Sequence, residues 1–199
     1  KDTLRYRIGV ATYSVGVAYN NRKTSLQFIQ QEMNNITALS NETCQLGIQS
    51  RNMVLYIAKK DSPQPIRLMS SVGKQLPLYC TGLGRALLAY KSEEEIRSLF
   101  PEVLTAYTPH TIATINDLLK ELELTRQRGY AVEHEETNLM VNCIAVSLDY
   151  NNAPIAALSI SIPTFRISES KEKEAVQILW EAKQHIETHF KMYGVDFGN

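Results

Sequence analysis

The chain has 199 residues, with 21 Lys and Arg against 21 Asp and Glu, and so a formal net charge of zero. That length can bury one core of ordinary domain size without staples, and balanced charge gives the piece as a whole no pull towards a phosphate backbone or an anionic lipid surface. Cys44, Cys80 and Cys143 are odd in number and lack CxxC spacing, which argues against a disulfide framework and for reduced thiols in a cytoplasm.

Residues 1–23 begin without Met and carry basic and aromatic residues around Tyr6-Arg7-Ile8-Gly9. They read as a linker after something absent, with no charged-then-apolar leader, and residues 24–199 read as one domain. No apolar run approaches the length of a membrane span. Thr24 and Gln27 have capping-box spacing, and Leu26, Ile29, Met33, Ile36 and Leu39 recur at threes and fours, so 25–40 is expected to be an amphipathic helix. The runs 44–50 and 53–60, joined by Arg51-Asn52, read as a hairpin, and 66–71 reads as a third strand after the breakers Pro63 and Pro65.

The stretch 75–80 reads as a loop feeding Thr81-Gly82-Leu83-Gly84 into a helix through Ala89, after which Ser92 and Glu95 have capping-box spacing for a helix to about Phe100. Asn116 is the expected cap of a helix bearing Leu118, Leu119 and Leu122, with Arg126 and Arg128 in its last turn and Gly129 at its end. Strands are expected at 130–134, 142–148 and 154–162, the last two linked by a turn at 149–152. Ser168 opens a final helix with Ala175, Ile178, Leu179, Ala182, Ile186 and Phe190 facing inward, and Gly194 stops it. Six short strands in two antiparallel groups predict an α+β fold, one antiparallel sheet flanked by helices, because a parallel sheet needs a crossover after each strand. The GAF and PAS sensor folds have this outline.

Three places can carry chemistry. Gly82-Leu83-Gly84 brings unpaired backbone N–H groups to a helix start, suited to a carboxylate or phosphate, but the stretch lacks a Walker lysine and a third glycine and equally suits a packing turn. Ser159 and Ser161, at i and i+2 of an apolar strand, share one sheet face and can grip a ligand oxygen or simply bond neighbouring carbonyls. Glu133, His134, Glu135 and Glu136, with Cys143 beyond, can line a pocket, hold a metal, or be a solvated loop.

At these positions the sequence resembles the isocitrate lyase regulator (IclR) family of bacterial transcription factors. Leu76-Pro77-Leu78-Tyr79-Cys80-Thr81-Gly82-Leu83-Gly84-Arg85-Ala86-Leu87-Leu88-Ala89 is similar to its LPL-x-x-(S/T)-x-x-G-(K/R)-A-x-LA segment. Arg128-Gly129-Tyr130-Ala131 with Glu135-Glu136 is similar to RGYA-x-x-x-EE, Cys143-Ile144-Ala145 to CIA, and 156–164 to AALS-x-S-x-PT. Tyr6-Arg7-Ile8-Gly9 resembles the YRLG that closes the family's winged helix-turn-helix domain. The resemblance implies a GAF-like effector-binding domain, not an enzyme, that self-associates to a dimer or a tetramer. It would take a small carboxylate, a sugar acid or keto acid, and reach DNA only through the missing N-terminal domain, with no cofactor, metal or membrane involved. By motif position, Gly82 and Leu83 would bind the effector through backbone amides and Ser159 and Ser161 would face them. Glu133 and Cys143 fall at polar lining positions, and Leu68, Leu76 and Val141 at apolar ones. Two positions depart from the family pattern: Glu133 stands where Asp is usual and Asn142 where Arg is common. Two other readings stay open: a pure assembly module, which needs no cavity beside Gly82, Ser159 and Ser161, and a zinc or hydrolytic enzyme, which needs a metal set or a cysteine of depressed pKa.

Overall fold

Helix α1, Ser25–Ser40, forms where the apolar spacing predicts, with Leu26, Ile29, Met33 and Ile36 stacked on its buried face. In the computed structural model, residues 9–12, 14–15, 25–66 and 71–196 are described; the expected cap Thr24, most of the linker 1–23 and the candidate Leu68 lie outside them. Strands β1 (Thr43–Ser50) and β2 (Met53–Lys60) pair as the expected hairpin, with Arg51 at φ 58° in the turn.

The next strand differs from the expectation. Of the strand expected at 66–71, residues 67–70 lie outside the described set, and β2 instead takes as partner β3, Gln75–Pro77, within the stretch read as loop. Pro77 closes that strand, where its missing N–H removes no interior ladder bond. A 3₁₀ turn, Leu78–Cys80, then leads into α2, Gly82–Leu88, whose cap Thr81 accepts from the Gly84 N–H.

Helix α3, Glu93–Leu99, carries the full Ser92/Glu95 capping box. Helix α4, Ile115–Arg128, is capped by Thr114 rather than Asn116: the Thr114 hydroxyl accepts from Asp117 N–H, and fully buried Ile115 starts the apolar stripe before Asn116. Gly129, at φ 78°, ends it in the left-handed region as its position predicts. Strands β4 (Ala131–His134), β5 (Val141–Tyr150) and β6 (Ala153–Pro163) follow, with Asn151 and Asn152 both at positive φ between the last two. Helix α5, Glu169–Tyr193, is capped by Ser168, and the six residues expected to face inward are all buried.

All pairings are antiparallel, in the order β3-β2-β1-β6-β5-β4. The two meanders thus join through β1 and β6, and β6, the central apolar strand, is buried along most of its length. One face packs Leu158, Ile160, Ile144 and Val146 under α1 and α5; the other packs Ala157 and Ala145 under α2 and α4 with Leu83, Leu87 and Leu118. Each large aliphatic side chain so buried contributes roughly 1.5–3 kcal/mol.

On the α2 side one charge pair is buried. Arg85 donates to Tyr79 O (3.0 Å), to Val132 O (2.9 Å) and to the Glu136 carboxylate, and the paired side chains are 2 % and 6 % exposed. Arg85→Met should strand the buried Glu136 carboxylate and cost about 3–5 kcal/mol, a fall in Tm on the order of 10 °C. Arg85→Met/Glu136→Leu should recover part of that loss. Thermal unfolding by circular dichroism checks both, and an unchanged single variant would sink the assignment.

Candidate functional site

Sheet register assembles the site. Gln45 on β1 pairs with Ser159 on β6, and Ser159 with Ala145 on β5; one step along, Ser161 pairs with Cys143 and Cys143 with Glu133 on β4. Residues two apart share a face, so Gln45, Ser159, Ser161, Cys143 and Glu133 form one polar patch beneath α2. Gln45 Oε1 accepts from Ser161 Oγ at 3.0 Å and from Ser159 Oγ at 3.4 Å, and Cys143 Sγ lies 3.2 Å from Ser161 Oγ.

Helix α2 starts directly above the patch. A Cβ on Gly82 would come within 3.3 Å of Cys143 Cβ and 3.4 Å of Ala145 Cβ, so this turn rests on the strands. The N–H groups of Gly84 and Arg85 are taken by Thr81 Oγ1 (3.1 Å) and Thr81 O (3.0 Å). Those of Gly82 and Leu83 have no acceptor among the described residues and are left for whatever enters the cleft. The two glycines therefore act differently. A Cβ on Gly84 would run into the Leu78 backbone, so Gly84 serves close packing.

Seven expected residues line a single cleft: Leu76, Gly82, Leu83, Glu133, Val141, Cys143 and Ser159. Ser161, fully buried, lies behind this lining and orients Gln45 and Cys143. Gln45, Tyr56, Lys74, Thr81, Thr137 and Asn138 also line the cleft and were not foreseen. Gln45 had a readable signal, as a polar residue two before Gly47 inside an apolar strand; Tyr56 and Lys74 arrive through long-range pairing. The cleft's cavity volume is about 20 Å³, close to that of roughly one water position.

Glu133, 1 % exposed, accepts from the N–H groups of Glu136 (2.5 Å) and Thr137 (3.2 Å), and so holds the segment 135–140 that joins β4 to β5. Burial raises its carboxyl to about 7 against the lowering effect of the Glu136 N–H and the Cys143 thiol. Burial and the Glu133 charge raise the Cys143 thiol well above its ordinary value, and burial pushes Cys80 up to about 12. Neither thiol is a thiolate nucleophile near neutrality. His134 faces Asn142, its Nδ1 3.0 Å from Oδ1. Among the described residues no group of three or more His, Cys, Asp or Glu is placed to hold a metal, and no helix is long and apolar enough to cross a membrane.

The polar cleft lies beneath a helix start, in a six-stranded antiparallel sheet with helices on both faces. Comparison with known proteins defines the class. Residues 18–188 match the family described as "Bacterial transcriptional regulator IclR C-terminal". The chain is 33% identical over 187 residues to the HTH-type transcriptional regulator KdgR of Dickeya chrysanthemi, spanning 93% of this chain and 61% of that protein. It is 32% identical over 185 residues to the HTH-type transcriptional repressor AllR of Escherichia coli (strain K12), spanning 92% and 68%. Its fold superposes on an IclR transcriptional regulator from Alicyclobacillus acidocaldarius with a TM-score of 0.84 and 28% identity, over 92% of this chain and 75% of that one. The chain belongs to the IclR family of transcription regulators, which are not enzymes, and corresponds to its C-terminal domain.

Two substitutions test the site's physics. The Glu133 carboxyl is raised in the folded chain from 4.5 to about 7, so the stability that its protonated form contributes is complete below pH about 4.5 and lost as pH rises through about 7. That loss is at most about 3 kcal/mol, and Glu133→Gln should flatten stability against pH across this window in urea unfolding; parallel wild-type and variant curves would refute the assignment. Gly84→Ala should cost about 3 kcal/mol by overpacking and lower Tm on the order of 10 °C. A thermal scan indistinguishable from wild type would show that Gly84 is not the packing glycine.

Proposed function

We propose that this chain is the effector-binding and self-association domain of an IclR-type transcription regulator, and that the cleft between α2 and the β1-β6-β5-β4 patch takes a small organic acid, a sugar acid or keto acid. One observation carries the reading: the Gly82 and Leu83 N–H groups have no acceptor among the described residues and share a cleft with Ser159 and Glu133. Two amides and nearby hydroxyls suit a carboxylate by hydrogen bonding; helix α2, seven residues long, adds little dipole. Leu76 and Val141 supply the apolar contact, and Glu133, with Thr137 and Asn138, suits hydroxyl groups along the acid. The cleft is too narrow for such an acid as it stands, so entry requires segment 135–140 or neighbouring side chains to shift.

In the full-length regulator, DNA binding resides in an N-terminal domain outside this chain, residues 1–23 link the two, and the whole acts in the cytoplasm. The domain assembles to a dimer or a tetramer. The effector regulates by binding two arrangements of the assembly with different affinity, since equal affinity shifts nothing.

The test is a thermal-shift screen of this chain against pyruvate, glyoxylate and a panel of sugar and keto acids, repeated on Ser159→Ala and Ser161→Ala. An effector present at about 100 times its Kd stabilises by about 2.7 kcal/mol, which raises Tm by roughly 5–10 °C, and each substitution should at least halve that rise. No shift with any acid at millimolar concentration overturns the effector reading and leaves an assembly module.

A further inference from the structure

Among the described residues, the charged groups around the cleft are committed within the protein apart from Lys74. Arg85 is taken by Tyr79, Val132 and Glu136, and Glu133 accepts from two backbone N–H groups. Elsewhere, Lys59, Lys91, Lys120, Lys171, Lys173 and Lys183 each meet a carboxylate, while Lys60 and Lys191 face solvent away from the cleft. Lys74 lines the cleft, and its ammonium has no partner among the described residues. Its position is nevertheless fixed at the root. Lys74 O accepts from Tyr56 N–H at 3.0 Å and the preceding Gly73 N–H donates to Tyr56 O at 2.8 Å, which pins this residue pair to β2 beside Tyr56, itself a wall of the cleft.

The cleft therefore presents two kinds of anion recognition. The Gly82 and Leu83 amides offer neutral donors to one carboxylate, which the Ser159 hydroxyl joins by turning from Gln45 Oε1, 3.4 Å away, while Lys74 offers a point charge on a flexible stem, on an exposed residue. A monoanion that uses the neutral donors leaves the Lys74 ammonium to water alone, beside a wall where Tyr56 and Asn138 are neutral.

We propose that Lys74 determines specificity, and that the effector is a dianionic acid with one carboxylate on the Gly82 and Leu83 amides and a second anionic group, carboxylate or phosphate, on Lys74. This rests on the cleft being the effector site and narrows the effector from organic acids at large to those anionic at both ends. The burial that raises Glu133 also favours the pairing, since a carboxyl half protonated near neutrality repels the incoming acid less.

Calorimetric titration of this chain with probes of matched carbon skeleton tests it: 2-oxoglutarate against 2-oxopentanoate for a second carboxylate, and 3-phosphoglycerate against glycerate for a phosphate. The wild-type chain should bind the dianion of at least one pair tenfold or more tighter than its monoanionic partner. Lys74→Met should abolish that preference, Lys74→Arg should retain most of it, and only the dianion's affinity should fall steeply with salt. Monoanions bound as tightly as dianions, or a Lys74→Met loss equal for both members of a pair, overturns the dianion proposal while leaving the effector site standing. Binding by none of the four probes overturns the dianion proposal, and if no acid of the thermal-shift screen stabilises the chain either, both readings fall.

Discussion

The buried pair of Arg85 and Glu136 is the interaction on which the site depends. A guanidinium taken out of water is tolerated only where its donors find acceptors, and those of Arg85 reach the 3₁₀ turn at Tyr79, β4 at Val132, and Glu136 beyond β4. Glu136 in turn accepts from Ile112 N–H at 3.1 Å, and its carbonyl accepts from the Thr111 hydroxyl at 2.6 Å. One side chain on α2 thereby fixes the approach to α2, the strand edge beside it, the segment 135–140 and the start of α4. The Gly82 and Leu83 amides are held over the polar patch as a consequence.

A second constraint acts on the same segment from the opposite side. Glu135 and Met140 sit at positive φ, 56° and 67°, a conformation that costs a non-glycine residue roughly 1–2 kcal/mol. The Glu133 carboxylate offsets part of this through the Glu136 and Thr137 N–H groups, and Thr108 Oγ1 holds Glu135 O at 2.7 Å. Because Glu133 also faces the cleft, a ligand contact there and the shape of segment 135–140 draw on the same carboxyl group.

Local chemistry was legible in the sequence and long-range register was not. The caps at Ser92 and Ser168, the left-handed stop at Gly129 and the shared face of Ser159 and Ser161 all follow from a few adjacent residues and appear as expected. The α4 cap was misplaced because Thr114 and Asn116 are both competent caps, and what decides between them is the burial of Ile115 in tertiary packing. Strand β3 was missed because its three residues include a proline and draw their order from β2. Tyr56 and Lys74 enter the cleft by the same route, whereas Gln45 stands out locally as a polar residue in an apolar strand. The pairing of β1 with β6 places residues more than a hundred positions apart side by side, and no local pattern encodes it.

The two faces of the central strands show what the site costs the fold. On the face towards α1 and α5, β5 and β6 carry Ile144, Val146, Leu158, Ile160 and Ile162, the composition of a sheet selected for burial alone. On the face towards α2, the same strands carry Ala145, Cys143, Ala157, Ser159 and Ser161, residues that are small or polar although Ser159 and Ser161 are as deeply buried as their neighbours. Aliphatic residues there would bury more apolar surface and need no partners, whereas each buried hydroxyl needs a hydrogen bond to offset its desolvation. Gln45 provides that bond for both serines. The small side chains let the start of α2 settle directly on the strands, and the hydroxyls keep the surface beneath it polar. Stability is thus forgone on one face of a sheet whose other face is conventionally packed, the pattern in which a local rule is broken where something other than burial is selected.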